Sequence, residues 1–296
     1  MTDGVRNKNL GRAALFSATL IWGISFVAMK NVLTSIPPLY ILAIRFCGAA
    51  IILLPACSHK LKKTDRSYLF GGVLMGLALL LGYVFQTFGL RLTTPGKNAF
   101  LTAAYCVIVP FLYWFFNKKR PDKFNAAAAA ICIVGIGLIS LDSSLSIGAG
   151  DILTIVCGFF FALHIIITAR SVSNRDPVTL AMLQFAVAGI VALIFAAFFE
   201  PPPSGVTSAD IWSMAFLTVI STSVCLLLQV FGQKYSPPSQ AAVIMTLESV
   251  FGALSSVVFY KEILTPRLIA GFVLTFAAVI VSETKLQFLL RSAERK

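Results

Sequence analysis

Three ionisable side chains stand inside long apolar runs, where a charge needs a reason. Glu248 lies near the middle of residues 239–260, Arg45 about a third of the way along 38–57, and His164 within 150–169. A charged group at the centre of a membrane-crossing helix costs roughly 2.5–3.5 kcal/mol on insertion scales. Glu248 is flanked by Thr246 and Ser249 and by the small Gly252 and Ala253. A carboxylate so placed could bind a substrate ammonium or take up a proton during a transport cycle. The plainer alternative is a hydrogen-bonded glutamate that fixes helix packing. Arg45 could hold a substrate carboxylate, or brace the bundle against an acid or backbone carbonyls. His164 could carry a proton or pack as a hydrogen-bonded core residue. Lys30, near the end of the first run, reads as a side chain that snorkels to the interface.

Neutral groups join them. Gln86 and Gln229 are amides within apolar runs, able to bind a substrate or to bond helix to helix. Trp22, Tyr83 and Tyr105 could wall a ligand site, or simply pack or face lipid. Glu262 with Lys261, and Lys118, read as interfacial charges. The six cysteines form no CxxC pair, so neither a zinc site nor a disulfide framework is expected. HExxH, GxxxxGK[ST] and GxSxG are absent and there are two histidines. No enzyme chemistry, cofactor or metal is therefore expected. Without a nucleotide-binding motif, any transport would run on an ion or substrate gradient, proton coupling included.

The elements that must position these groups follow from composition. Of 296 residues 58% are hydrophobic and 12% charged, with a mean hydropathy of +0.88. A soluble domain carries about 25% charged residues. Too few polar residues remain to coat a globule of this size, which leaves an all-α, polytopic membrane protein. Apolar runs of the required 20 or so residues lie near 12–33, 38–57, 67–90, 98–117, 123–141, 150–169, 177–199, 210–233, 239–260 and 265–284. That makes ten transmembrane helices joined by short loops. The first run is too long for the apolar part of a signal peptide, so it is expected to be retained.

Direction follows from the basic residues. The net charge is +12, and in a soluble protein that would suggest nucleic acid. Here the lysines and arginines cluster between apolar runs instead. With the N-terminus inside, eighteen of them fall on inner segments and four on outer ones. That bias places both termini in the cytoplasm. Small residues are dense on the fifth span (Ala126–Ala130, Gly135, Gly137), with Gly271 on the tenth. Such faces suit close helix packing, as peripheral supports or as contacts in a homodimer.

The chain also repeats. An offset of 143 lays 86–118 on 229–261 with eight identities in 33 positions, among them Gln86 with Gln229, Pro95 with Pro238 and Lys118 with Lys261. An offset of 139 pairs Pro38 with Pro177, Phe46 with Phe185, Arg45 with Gln184 and Ser25 with His164. Glu248 falls on Tyr105. Two units, 12–141 and 150–284, would each hold five helices. Because five is odd, the second enters from the opposite side, giving two inverted five-helix repeats around a midplane site.

Several motifs carry a family resemblance: Trp22-Gly23-Ile24-Ser25-Phe26, Arg45-Phe46, Pro110, Leu247-Glu248-Ser249-Val250, Glu262-Ile263-Leu264-Thr265 and Gly271. In order and spacing the chain resembles the drug/metabolite transporter superfamily, as two EamA-like units. It departs from that pattern at Asn117-Lys118 and at Ser249. The resemblance implies a ten-helix bundle in the inner membrane that exports small metabolites, often amino acids. The expected function is secondary transport by alternating access, with Glu248, Tyr105, Gln86, Gln229, Trp22, His164 and Arg45 at the site. The partners are a small-molecule substrate and membrane lipid, not nucleic acid. An uptake carrier or facilitator of the same fold, or a membrane subunit with no transport of its own, are the alternatives.

Overall fold

The computed structural model describes residues 3–61, 64–118, 120–140 and 147–284. Among them the chain is a bundle of long apolar helices. Nine are long and apolar enough to cross a membrane: Arg6–Val32, Pro38–Leu61, Arg66–Leu92, Pro95–Asn117, Lys123–Ser140, Ala149–Val172, Pro177–Phe199, Ser208–Lys234 and Pro238–Tyr260. The tenth, Pro266–Thr284, is apolar over Pro266–Val281. Proline starts the second, fourth, seventh, ninth and tenth helices, at the position where its missing N–H costs no helical bond. Side chains cap several others. Asp65 accepts from Tyr68 N–H, Asp176 from Thr179 N–H, and Thr207 with Asp210 forms a capping box.

The two halves exchange partners. The first span packs on the eighth and ninth, and the sixth on the third and fourth. The second lies against the seventh and the fifth against the tenth. Each contact thus has its counterpart under the offset that aligns the halves. Phe46 and its counterpart Phe185 stack at 6.3 Å between the second and seventh spans. Lys118 and Lys261, also counterparts, both close their helices in the left-handed conformation, at φ 58° and 59°. Both were expected to act as interfacial charges; their backbone role is a helix stop.

Small residues set the closest approaches. A Cβ added at Gly135 would meet Thr275 Oγ1 at 2.5 Å, and one at Gly271 would meet Ile139 at 2.7 Å. Gly135 of the fifth span and Gly271 of the tenth thus let those two helices pack closely on each other. The interior is a single large cluster drawn from most spans, with smaller clusters where the tenth helix joins the fourth, fifth and ninth. The residues facing outward are leucine, isoleucine and phenylalanine, the surface a lipid-exposed bundle presents.

Three spans are not regular helices, which hydropathy does not reveal. The fourth breaks into a half-helix, Pro95–Thr102, and a second piece, Tyr105–Asn117. Between them Ala104, Cys106 and Val107 donate three residues back, to Leu101, Ala103 and Ala104. The eighth carries a π segment, Phe216–Val224, and the ninth ends in one, Ser256–Tyr260.

Candidate functional site

Two adjoining cavities open at mid-bundle and share Trp22, Tyr83, Gln86 and Glu248 as walls. Together they bring all seven expected residues to one place. Tyr105, His164 and Gln229 complete the first lobe with apolar Leu79, Ile165, Leu226 and Met245. Arg45, Ser25, Thr87 and Ser221 line the second. The lobes measure about 40 and 30 Å³. That is room for a few waters, against roughly 300–1,000 Å³ for a drug-sized ligand site. A metabolite therefore needs the walls to part.

Glu248 is buried, and Tyr105, also buried, lines the same lobe. The ninth span can hold Glu248 close to the first because Gly23 carries no side chain. A Cβ at Gly23 would meet that of Phe251 at 2.3 Å. Ser255 adds a hydroxyl bond to the carbonyl of Gly23 at 2.7 Å. The tryptophan–glycine pair thus has a physical reading: the glycine admits the ninth span and the indole walls the cavity.

Arg45 is 2% exposed and, among the described residues, has no carboxylate within ion-pair distance. Its Nε donates to Thr222 Oγ1 at 2.9 Å and its guanidinium lies 4.9 Å from the centre of the Tyr83 ring. Tyr83 is held edge-on by Phe46 and Phe161, each at 5.3 Å. A buried guanidinium normally sits in a bidentate pair. Here it is held by a hydroxyl and an aromatic face.

The π segment supplies that hydroxyl. Thr222 and Ser223 each donate five residues back, to Leu217 and Thr218, both at 2.7 Å. The Ser221 carbonyl accepts from the Trp22 indole at 3.0 Å. Sequence reasoning missed this element. The signal was present as Thr218 and Ser221-Thr222-Ser223, a hydroxyl cluster inside an apolar span. π segments recur at functional sites for this reason, since the widened turn frees backbone groups.

His164 bonds through Nε2 to Gln184 Oε1 at 2.9 Å and to Thr168 Oγ1 at 3.2 Å. It is thereby both a cavity wall and a link between the sixth and seventh spans. Gln86 Nε2 donates to Thr102 Oγ1 at 3.2 Å, at the end of the half-helix. Gln229 is buried on the opposite wall.

Two expectations are extended here. Lys30 does more than reach for the interface. Its ammonium donates to the carbonyls of Leu90, Arg91 and Thr93 at 2.7, 3.1 and 2.7 Å, capping the third span. Helix ends leave such carbonyls unpaired, so a lysine within reach is drawn inward. Glu262 is likewise more than an interfacial charge. It accepts from the hydroxyls of Thr94 and Ser256 and, at 3.0 Å, from the N–H of Gly96, sealing the N-terminus of the half-helix. Among the described residues, no group of three His, Cys, Asp or Glu side chains could hold a metal.

The chain and its fold have relatives. A model of the EamA-like transporter family matches twice, over residues 9–141 and 148–284. The chain belongs to the EamA-like transporter family. An uncharacterized transporter of Archaeoglobus fulgidus is 34% identical over 264 residues, 89% of this chain and 82% of that protein. The uncharacterized transporter YoaV of Bacillus subtilis (strain 168) is 22% identical over 276 residues, 90% of this chain and 94% of its own. A solved crystal structure aligns with a TM-score of 0.72 at 16% identity, covering 94% of this chain and 98% of the other. This EamA-like chain is thus a multi-pass membrane protein of a transporter family, and its substrate is a small molecule.

Proposed function

We propose that this EamA-like protein is a secondary transporter that exports a small amphipathic metabolite, such as an amino acid, across the cytoplasmic (inner) membrane. The observation that carries the reading is the pairing of opposite charges around one cavity. Glu248 and the acid-free guanidinium of Arg45 both line the second lobe. A zwitterion satisfies both at once: its ammonium meets Glu248 and its carboxylate meets Arg45. The apolar first lobe receives the rest of the molecule. Trp22, Tyr105, Gln86, Gln229 and His164 line the path.

In this reading the two five-helix units are inverted, with both termini in the cytoplasm. They rock about the midplane so that the cavity faces one side, then the other. The exchanged packing of the halves supports that motion. Glu248 takes up a proton when the substrate leaves, which couples export to the proton gradient. Closing around water-sized lobes separates the two open states.

Purified protein in liposomes loaded with labelled amino acids tests this. Native protein releases label, and Glu248→Gln releases it no faster than empty liposomes. Equal rates would remove Glu248 from the mechanism. Fully reconstituted native protein that moves none of a broad metabolite panel would favour a non-transporting membrane subunit.

A further inference from the structure

The turn joining the third and fourth spans is gripped from three directions. Lys30 of the first span binds the carbonyls of Leu90, Arg91 and Thr93. Asp151, in the first turn of the sixth span, accepts from Thr93 Oγ1 at 2.8 Å and from Lys97 Nζ at 2.6 Å. Glu262, just beyond the ninth span, holds Thr94 and Gly96. Gly96 is needed for this approach, because a Cβ there would meet Glu262 Oε2 at 2.5 Å.

The counterpart turn, between the eighth and ninth spans, is tied among the described residues by bonds to backbone carbonyls: Gln233 Nε2 donates to Ile165 O at 3.2 Å and Lys234 Nζ to Arg175 O at 3.1 Å. Under the repeat offsets Lys30 falls on Ala169, Asp151 on Arg12 and Lys97 on Gln240. At that turn the bundle instead has a depression of about 520 Å³, flanked by Asn7, Lys8, Ala169 and residues 233–238. The ion pair at this end, Lys60–Asp176, has side chains 55% and 25% exposed, whereas Lys97–Asp151 has 24% and 3%. Exposed pairs contribute little, and a pair with a buried acid is costly to break. Among the described residues, the two turns are therefore held with unequal strength.

What the grip restrains is a separable piece. The half-helix Pro95–Thr102 is cut from the rest of its span at Ala103-Ala104, and the next residue is Tyr105, which lines the first lobe with Glu248. We propose that this half-helix is the gate of the central cavity on the Lys97 side, and that Asp151 and Glu262 are the residues that latch it shut. Releasing them lets the half-helix swing about Ala103-Ala104 and opens the cavity to that side. Because, among the described residues, no carboxylate grips the counterpart turn, the resting protein opens there more readily. The proposal rests on the alternating-access reading above, yet its test needs no substrate.

The test adds Ser25→Cys, at a wall of the second lobe, and measures labelling by a charged, membrane-impermeant methanethiosulfonate applied to either face of sealed vesicles. The parent without Ser25→Cys provides the background. Asp151→Asn and Glu262→Ala are expected to raise the rate from the Lys97 face by at least about tenfold, with no matching rise from the other face. Lys60→Ala is expected to change neither. Should Asp151→Asn fail to accumulate, Lys97→Gln removes the same ion pair from its more exposed side. Unchanged rates in the latch variants, equal increases from both faces, or the same increase in Lys60→Ala would overturn the proposal. If labelling shifts as expected while no metabolite moves, the gate stands and the transport reading falls.

Discussion

Tyr105 and Glu248 are both buried and line the same cavity lobe, and the two positions are counterparts under the 143-residue offset between the halves. Two ancestrally matched sites thus meet at one lobe at mid-bundle, one keeping an acid and the other a neutral hydroxyl. Arg45 and Gln184 show the same divergence on the second and seventh spans. The matched positions have thus diverged in charge, the first half supplying Arg45 and the second Glu248.

The lobe shared by Tyr105 and Glu248 predicts a graded response. Tyr105→Phe removes a cavity hydroxyl, and a hydrogen bond from it to a charged group in the cavity is worth about 1.5–3 kcal/mol. Initial efflux of the cargo from proteoliposomes should fall by roughly tenfold or more, while Glu248→Gln abolishes it. A Tyr105→Phe protein as fast as native would place the phenol outside the cycle.

Arg45→Lys tests the guanidinium. Lysine keeps the charge but loses the flat fork that lies over Tyr83 and reaches Thr222. The half-saturating concentration of a carboxylate-bearing cargo should rise by about tenfold. Competition by the matching amine without a carboxylate should be unchanged. Equal weakening of both compounds would assign Arg45 to bracing the bundle.

Gly23→Ala should destabilise the bundle. Its Cβ lands 2.3 Å from that of Phe251, on backbone that a side-chain rotation cannot clear. Overpacking of this kind costs about 1–3 kcal/mol. A lowered melting temperature in detergent checks it, with Gly148→Ala, which meets nothing within 4 Å, as the unperturbed reference.

Lys30→Met retains an apolar stem but leaves three carbonyls at the end of the third span without their donor. The expected loss is about 1–3 kcal/mol. It should appear as faster amide exchange around residues 90–97, ahead of the helix interiors. Exchange equal to native would show that water replaces the ammonium at no cost.

Spans, their number and the offset between halves could be read from the chain, because hydropathy and length decide whether a segment crosses a bilayer, whatever its neighbours. Glu248, Arg45, His164 and the paired glutamines were visible as polar groups in apolar runs. In such a bundle their cost drives them inward, to a shared interior. The roles of Lys30 and Glu262 were not visible, since both lie near span ends, where lipid headgroups, water and a neighbouring helix terminus satisfy a charge equally well.

Sequence alone therefore determined which segments are helices in a membrane and which polar groups must be hidden from lipid. Tertiary structure decided how those helices are broken and who meets whom. Ala103 and Ala104 are good helix formers, yet the fourth span breaks there, packed against Gly158, where a Cβ would lie 3.4 Å from Thr102 O. The widened turn of the eighth span exists where Arg45 and Trp22 reach its freed hydroxyl and carbonyl. Such features arise from contacts between segments far apart in the chain, and no local pattern of residues encodes the rotation of one helix about another.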